Sequence, residues 1–435
     1  MEHEENTADV TVIGGGIAGM AASIHLARAG LKVLCVGPDL QGSQMVGESL
    51  DWSAPALLEA LGLPMKRLID DGIATYKRHV ILKLGDGSER HYVPAAWLGR
   101  PPFNFELRTL HVDRPRLNEA LHGIATFHGV RHLNDKAVGV EIEDRRVAAV
   151  NTAAGRRIVS SRYIDASGSA ASVLSRAFRL PVQEYGPRKV AVWSYFKVQE
   201  SGEGTTLYAR TAKAGYMEWI WEVPVTPETI SVGYVTTGDA MKANRRQGHT
   251  VEEIYREELE RFPRFRELLR EAGTVSPLTT SFRCRVHRDV AGPNWLIVGE
   301  SAAMVDPMTS NGVTAALRHA SEASDLVIRY RDRKRLPWLA TAMYSKRVEG
   351  LAKFFNCGIE RVVYDWPIRN RIGVLTAGDV YTVPAWSMNT VYARMRPEGV
   401  VGTLLFNCLL NLWRAAASVL HGLCKGEEEP CEVRI

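Results

Sequence analysis

Gly14-x-Gly16-x-x-Gly19 follows the apolar run Asp9–Ile13 and precedes a helix-forming stretch. In that setting the first glycine permits a tight turn and the second lets the backbone approach a pyrophosphate. The third lets the helix pack on the strand, with the helix N-terminus facing the phosphates. The spacing therefore predicts a dinucleotide site. The acid that holds an adenosine ribose is expected about twenty residues on. The second strand ends Val36-Gly37-Pro38-Asp39, which makes Asp39 the candidate. Trp219 and Trp221 stand at i and i+2, on one face of a strand, where two indoles commonly pack. Six cysteines, at 35, 284, 357, 408, 424 and 431, show no C-x-x-C spacing and no accompanying histidine cluster, so no metal site is expected.

The elements that must position these residues follow from hydrophobic patterning. Residues 9–16 read as a buried strand and its turn. A helix runs from Ile17 to about Ala29, with Gly30 as its stop, and Lys32–Val36 is a second strand. That is a β-α-β unit. Residues 147–158 read as two short strands around Ala154-Gly155, residues 189–198 and 229–236 as further strands, and the chain from Thr314 onward as mostly helical. The chain has 435 residues, 46% hydrophobic and 24% charged, which excludes a disordered protein and allows a large core without disulfides. A net charge of +5 is too small to argue for nucleic acid. The acidic start MEHEENTADV has no apolar signal region, and the scattered cysteines suit a reducing compartment, so a cytoplasmic location is expected. The segment 400–423 is apolar nearly all round and is expected to be a buried terminal helix rather than a span, or else to cover a partner or lie on a membrane surface. The basic run Arg329–Arg335, ahead of Pro337, reads as a solvated helix end, or as a docking patch for an acidic partner.

Distant segments extend the dinucleotide reading. Tyr163-Ile-Asp165-Ala-Ser-Gly168, Asn294-Trp-Leu-Ile-Val-Gly299-Glu300 and Asp306-Pro-Met-Thr309-Ser310-Asn311-Gly312-Val313 together resemble the flavoprotein monooxygenases with a hydroxybenzoate-hydroxylase-like FAD fold. Gly47-Glu48-Ser49, His111-Val-Asp113-Arg114 and Trp219-Ile-Trp221-Glu-Val223-Pro224 resemble flavin-dependent halogenases, over roughly residues 8–330. Lys77 falls where those halogenases carry an active-site lysine; its plainer reading is an exposed strand lysine in Lys77-Arg78-His79. The Gly47–Ser53 and Thr309–Val313 stretches also resemble flavoproteins that mature tryptophylquinone cofactors.

The resemblance implies an α/β chain. A discontinuous FAD-binding domain of Rossmann type is expected over 1–74, 108–180 and 283–330. A β-rich substrate domain is expected over 75–107 and 181–282, and a helical region over 331–435. FAD would be held by Gly14, Gly16, Gly19, Asp39, Glu48, Ser49, Arg114, Glu300, Asn311, Gly312 and Val313. Lys77, Thr309 and Ser310 would be catalytic, and Trp219 and Trp221 would border the substrate. The leading expectation is a monooxygenase that hydroxylates an electron-rich ring through a flavin C4a-hydroperoxide, the ring being a small aromatic or a tryptophan of a partner protein or peptide. The alternatives are a halogenase of an indole, phenol or pyrrole using Lys77, and a flavin-binding assembly factor with little turnover. Thr309 stands where tryptophan halogenases carry a catalytic glutamate, and a threonine cannot act as a carboxylate base. With a single dinucleotide fingerprint, electrons would come from NAD(P)H without a second Rossmann unit, or from a separate flavin reductase.

Overall fold

The structure, a computed structural model, describes residues 7–38, 46–101, 104, 107–211, 215–395, 397 and 399–425. Asp39, the expected ribose acid, lies outside them. Thr7–Ile13 forms a strand whose Val10, Val12 and Ile13 are all buried, as a parallel strand covered on both faces requires. It pairs in parallel with Val33–Val36 and Arg157–Asp165. The first of these pairs with Arg131–Leu133 and the second with Trp295–Ile297. Ile13 is in register with Asp165, and Asp165 with Ile297. Three strands thus end on one line, and the turns at Gly14, Ala166 and Gly299 leave the sheet side by side. Helices Ile17–Arg28 and Gly312–Arg329 pack against each other over this sheet. The antiparallel strands Arg146–Thr152 and Ala137–Glu143 extend the sheet beyond Arg157–Asp165, with the turn at 153–155 where the sequence placed it.

The second sheet has eight strands, ordered Ala303–Met304, Leu278–His287, Val182–Lys197, Thr229–Thr237, Met217–Thr226, Gly204–Thr211, His79–Leu84 and Glu89–Tyr92. Helices Val251–Glu260 and Pro263–Ala272 cover one face, around Phe196, Tyr208, Tyr255 and Phe265. The Thr250–Glu253 capping box starts the first of them. A separate ribbon pairs Ala74–Lys77 with Thr109–Val112. Beyond the helix Gly312–Arg329 the chain is helical, as expected: Trp338–Gly358, Trp366–Ile372, Val374–Met395 and Gly399–Cys424.

One expectation is overturned. The terminal helix is not buried: Thr403, Phe406, Leu410, Ala417 and Cys424 form its buried stripe, while Val401, Leu405, Leu412 and Leu423 face outward. Helix Trp338–Gly358 covers only one side, so an all-round apolar sequence ends with one side unpacked.

In the second sheet Gly233 stands opposite both Trp193 and Trp221. A Cβ there would sit 2.1 Å from the Trp221 ring, so the glycine makes room for the indole. Gly233→Ala overpacks this site, and we expect it to lower the thermal midpoint, costing about 1–3 kcal/mol. Calorimetry on the purified protein checks this, and an unchanged midpoint contradicts it.

Candidate active site

The three aligned turns build the nucleotide end. Gly14 N–H donates to Val36 O at 2.7 Å and Ala166 N–H to Ile13 O at 2.8 Å. A Cβ on Gly14 would lie 2.3 Å from Ala166 O, and one on Gly19 1.8 Å from Gly14 O. Gly16 faces open space, the cradle that a phosphate needs. Asp165 ties the second turn together: its Oδ1 accepts from Ser167 N–H at 2.9 Å and its Oδ2 from Leu174 N–H at 2.6 Å. The adjoining cleft, about 160 Å³, is lined by Gly15, Gly37, Pro38, Asn118 and Glu119.

Arg114 begins a helix but is buried, and its Nη1 donates to Val46 O at 2.9 Å. Its Nε and both amide atoms of Asn118 are buried without a protein partner. Glu48 is buried: its carboxylate accepts from Tyr195 Oη at 2.8 Å, and burial pushes its pKa above the usual carboxylate range. Glu300 is exposed at the mouth, with Ser169 Oγ donating to it at 3.2 Å. The open glycine turn and the orphaned donors fit a polyphosphate-ribose ligand such as FAD.

Lys77 is 1% exposed, which corrects the reading of a solvated strand lysine. It is the last residue of its ribbon strand, opposite Thr109. On the other edge of Thr109–Val112 the segment 48–50 is held by Val112 N–H to Glu48 O at 2.8 Å and Leu50 N–H to Leu110 O at 3.0 Å. The Lys77 ammonium reaches that segment, donating to Leu50 O at 2.9 Å and to Ser310 Oγ at 3.3 Å. Ser310 donates to Ser49 Oγ at 3.0 Å, Ser49 lies 3.1 Å from Thr205 Oγ1, and Thr205 lies 2.9 Å from His111 Nε2. Lys77, Ser310 and Ser49 are therefore brought together by three separate parts of the chain. Burial lowers the Lys77 pKa to about 7, with Asp51 opposing the shift. Among the described residues no carboxylate closes an ion pair on Lys77, although its Nζ also lies 5.4 Å from the Trp52 ring centre.

Two supports escaped the sequence reading. Asn389, fully buried, donates from Nδ2 to Asp51 Oδ1 at 2.6 Å and to Asn311 Oδ1 at 3.0 Å, pinning the Lys77 segment to the loop after Ser310. The other is Asp306, which caps the turn that leads to Ser310. Its Oδ1 accepts from Met308 N–H at 3.0 Å and from Tyr364 Oη at 3.1 Å, and its Oδ2 pairs with the Lys189 ammonium at 3.0 Å. Lys189 also pairs with Glu360, and Tyr364 accepts from Trp219 Nε1 at 2.7 Å. Cys284, Asp306 and Glu360 bring ligand-type atoms within 4.8 Å of one another, but the Lys189 ammonium pairs with both carboxylates.

Thr309 is buried and, with Met308, lines a narrow apolar cavity shared with Leu207, Met217, Tyr381 and Trp386. Trp52 stands edge-on to Trp386 at 6.1 Å, which links the Lys77 side to that cavity. Trp219 and Trp221 do not line it. They pack 5.8 Å apart, and Trp219 acts on the loop through Tyr364. Val313 is buried in the first turn of the helix that the loop opens, and Asn311 and Gly312 stand at its N-terminus, where backbone N–H groups are free to meet a ligand.

Tyr364→Phe orphans the Trp219 N–H and removes a donor from Asp306, so we expect a loss of about 1–3 kcal/mol in thermal stability, read by calorimetry. Lys77→Met is expected to act oppositely. The folded pKa lies below the unfolded 10.5, so the folded state binds fewer protons between about 7 and 10.5. The charged lysine therefore costs stability in full below pH 7, and the cost fades toward pH 10.5. The methionine variant should melt higher than the parent at pH 6, by a margin that shrinks as pH rises. A lower melting point at pH 6 contradicts the unpaired, buried charge.

The tryptophan halogenase family profile matches residues 104–347, and the FAD-dependent oxidoreductase profile matches residues 9–177. The tryptophan 2-halogenase of Chondromyces crocatus is 28% identical over 385 residues, covering 83% of this chain and 70% of that one. A flavin-dependent halogenase of Armillaria mellea is 26% identical over 349 residues, covering 75% of this chain and 65% of the relative. The fold is shared with the flavin-dependent brominase Bmp2, at a TM-score of 0.71 and 19% identity over 96% of this chain and 98% of that one. The chain belongs to the tryptophan halogenase family, on an FAD-dependent oxidoreductase fold.

Proposed function

We propose that the protein is an FAD-dependent halogenase of an electron-rich aromatic ring. The observation that carries this reading is the buried, unpaired Lys77, one hydroxyl away from the loop of Ser310 and beside an aromatic-lined cavity. Gly14, Gly16, Gly19, Arg114, Asn118, Glu48 and Glu300 would hold the cofactor, and Asn311 and Gly312 would present N–H groups to its ring edge or to a halide. Bound reduced FAD supplies two electrons to O₂, by which a halide is oxidised to hypohalous acid. Overall, ArH, halide, O₂, FADH₂ and H⁺ give ArX, FAD and two waters.

Lys77 acts on the second half. Its ammonium donates to the oxygen of hypohalous acid, the ring attacks the halogen, and the O–X bond breaks with water leaving on the lysine proton. The neutral amine then takes the proton released by the ring, so the lysine ends as it began. A pKa of about 7 suits a group that both gives and takes a proton near neutrality. Ser310 and the Leu50 carbonyl hold the ammonium in place, and the apolar lining around Thr309 keeps water out.

Hydroxylation, including that of a tryptophan in a partner protein, is the second reading. Thr309 favours it, because no carboxylate base occupies that turn. A separate reductase delivering reduced flavin suits a chain with one dinucleotide fingerprint; reduction by NAD(P)H is the other source.

The FAD-loaded enzyme, chemically reduced and mixed with O₂, bromide and tryptophan, a phenol or a pyrrole, should yield a product with the bromine isotope pair by mass spectrometry. Lys77→Ala should reduce that product by about a hundred-fold or more with FAD content unchanged. Product formation should also fall as pH rises above about 7, as the ammonium is lost. A product gaining oxygen alone, whether or not bromide is present and whether or not Lys77 is replaced, contradicts halogenation.

A further inference from the structure

The terminal helix Gly399–Cys424 has 26 residues, a mean hydropathy of 1.4 in its most apolar window, and only 22% of that window buried. Five positions at heptad-like spacing are its buried stripe, Thr403, Phe406, Leu410, Ala417 and Cys424, and its main neighbour is the long helix Trp338–Gly358, with Phe406 edge-on to Tyr392. The helices run parallel, since Arg347 donates to Thr403, Asn407 to the Lys346 carbonyl, and Arg361 to Ser418. The terminal helix is thus strapped along the protein and lies on its surface rather than projecting from it.

Its outward side is a second apolar face. Val401, Leu405, Leu409, Leu412, Val419 and Leu423 are between 46% and 75% exposed. At 100° per residue these positions and the intervening Leu404, Cys408, Ala415 and Ala416 span an arc of about 140° with no polar side chain, and at 1.5 Å per residue the face is about 33 Å long. A seam for a second helix needs only a narrow stripe of two positions in seven. A face this broad and long is the form taken by a helix lying half-sunk in a bilayer interface.

Charge selects the kind of surface. The helix contains no Asp or Glu. Lys346, Arg361, Arg414 and Lys425 border it; the acid that touches it, among the described residues, is Asp365, through His421 at 2.7 Å. Residues 329–425 carry fifteen Lys and Arg against six Asp and Glu, net +9, while the whole chain is only +5. The exposed basic turn at 331–335 joins Gly312–Arg329 to Trp338–Gly358, and Trp338 at its end is 77% exposed. The acidic stretch Glu427–Glu429 lies outside the described residues.

We infer that the exposed face of Gly399–Cys424 docks the protein on an anionic lipid surface, with the helix in the plane of the interface and the exposed cations Arg331, Arg333, Lys334, Arg335, Lys346 and Lys425 facing the headgroups. Apolar burial supplies the hold and the cations supply the preference for negative lipid. The inference is independent of the halogenation reading, because none of these residues lines the cavity or the nucleotide cleft.

Flotation of the full FAD-loaded chain with phosphatidylcholine vesicles, with and without 30% phosphatidylglycerol (about a third anionic lipid), tests it. The expected result is flotation with the anionic vesicles and several-fold less with neutral vesicles or at high salt. The double variant Leu405→Glu/Leu412→Glu should float about ten-fold less while keeping its FAD and its turnover of a soluble substrate. No flotation, flotation indifferent to lipid charge, or a stable dimer in light scattering that these substitutions dissociate would each overturn it.

Discussion

The site rests on how two buried lysines are solvated. Both Lys77 and Lys189 are 1% exposed, and burial alone disfavours the charge on each. Lys189 is closed by Asp306 and Glu360, which more than reverse that effect and hold its pKa well above the usual value. Lys77 has a carbonyl and a serine hydroxyl instead, and stays near 7. A lysine kept this way costs stability and gains nothing as a structural cation. The same chain thus carries one buried lysine held charged by two carboxylates and another whose charge burial disfavours.

The paired lysine serves the unpaired one. Asp306 sits at the start of the loop that ends in Ser310, caps its first turn and is anchored from below by Lys189 and from the side by Tyr364. Ser310 adopts a left-handed conformation (φ 59°), which a serine does not choose freely and which the loop must hold. Asn389 fixes the other side by bridging Asp51 and Asn311. The position of Ser310 Oγ opposite Lys77 therefore depends on contacts from helices far along the chain, while the nucleotide end depends on three strand ends kept in line by the parallel sheet.

What was legible in the sequence was local. The glycine turn, the strand that carries it and the Trp-x-Trp strand are encoded within a few residues each, and they appear where the pattern placed them. Lys77 could be singled out only through resemblance, since Lys77-Arg78-His79 looks solvated; its burial comes from a ribbon pairing with residues more than thirty positions away. The Lys189–Asp306 and Asp51–Asn389 contacts span 117 and 338 residues, and no local pattern announces them. The terminal helix shows the opposite failure. Its apolar sequence implied burial, yet burial needs a neighbour on each side, and the fold supplies one side only.

The most direct test of the lysine is its own titration. In the FAD-loaded protein with ¹³Cε-labelled lysine, the resonance lost in Lys77→Met should titrate near pH 7, far from the surface lysines. A Lys77 signal that titrates with the surface lysines, above pH 10, would contradict the account.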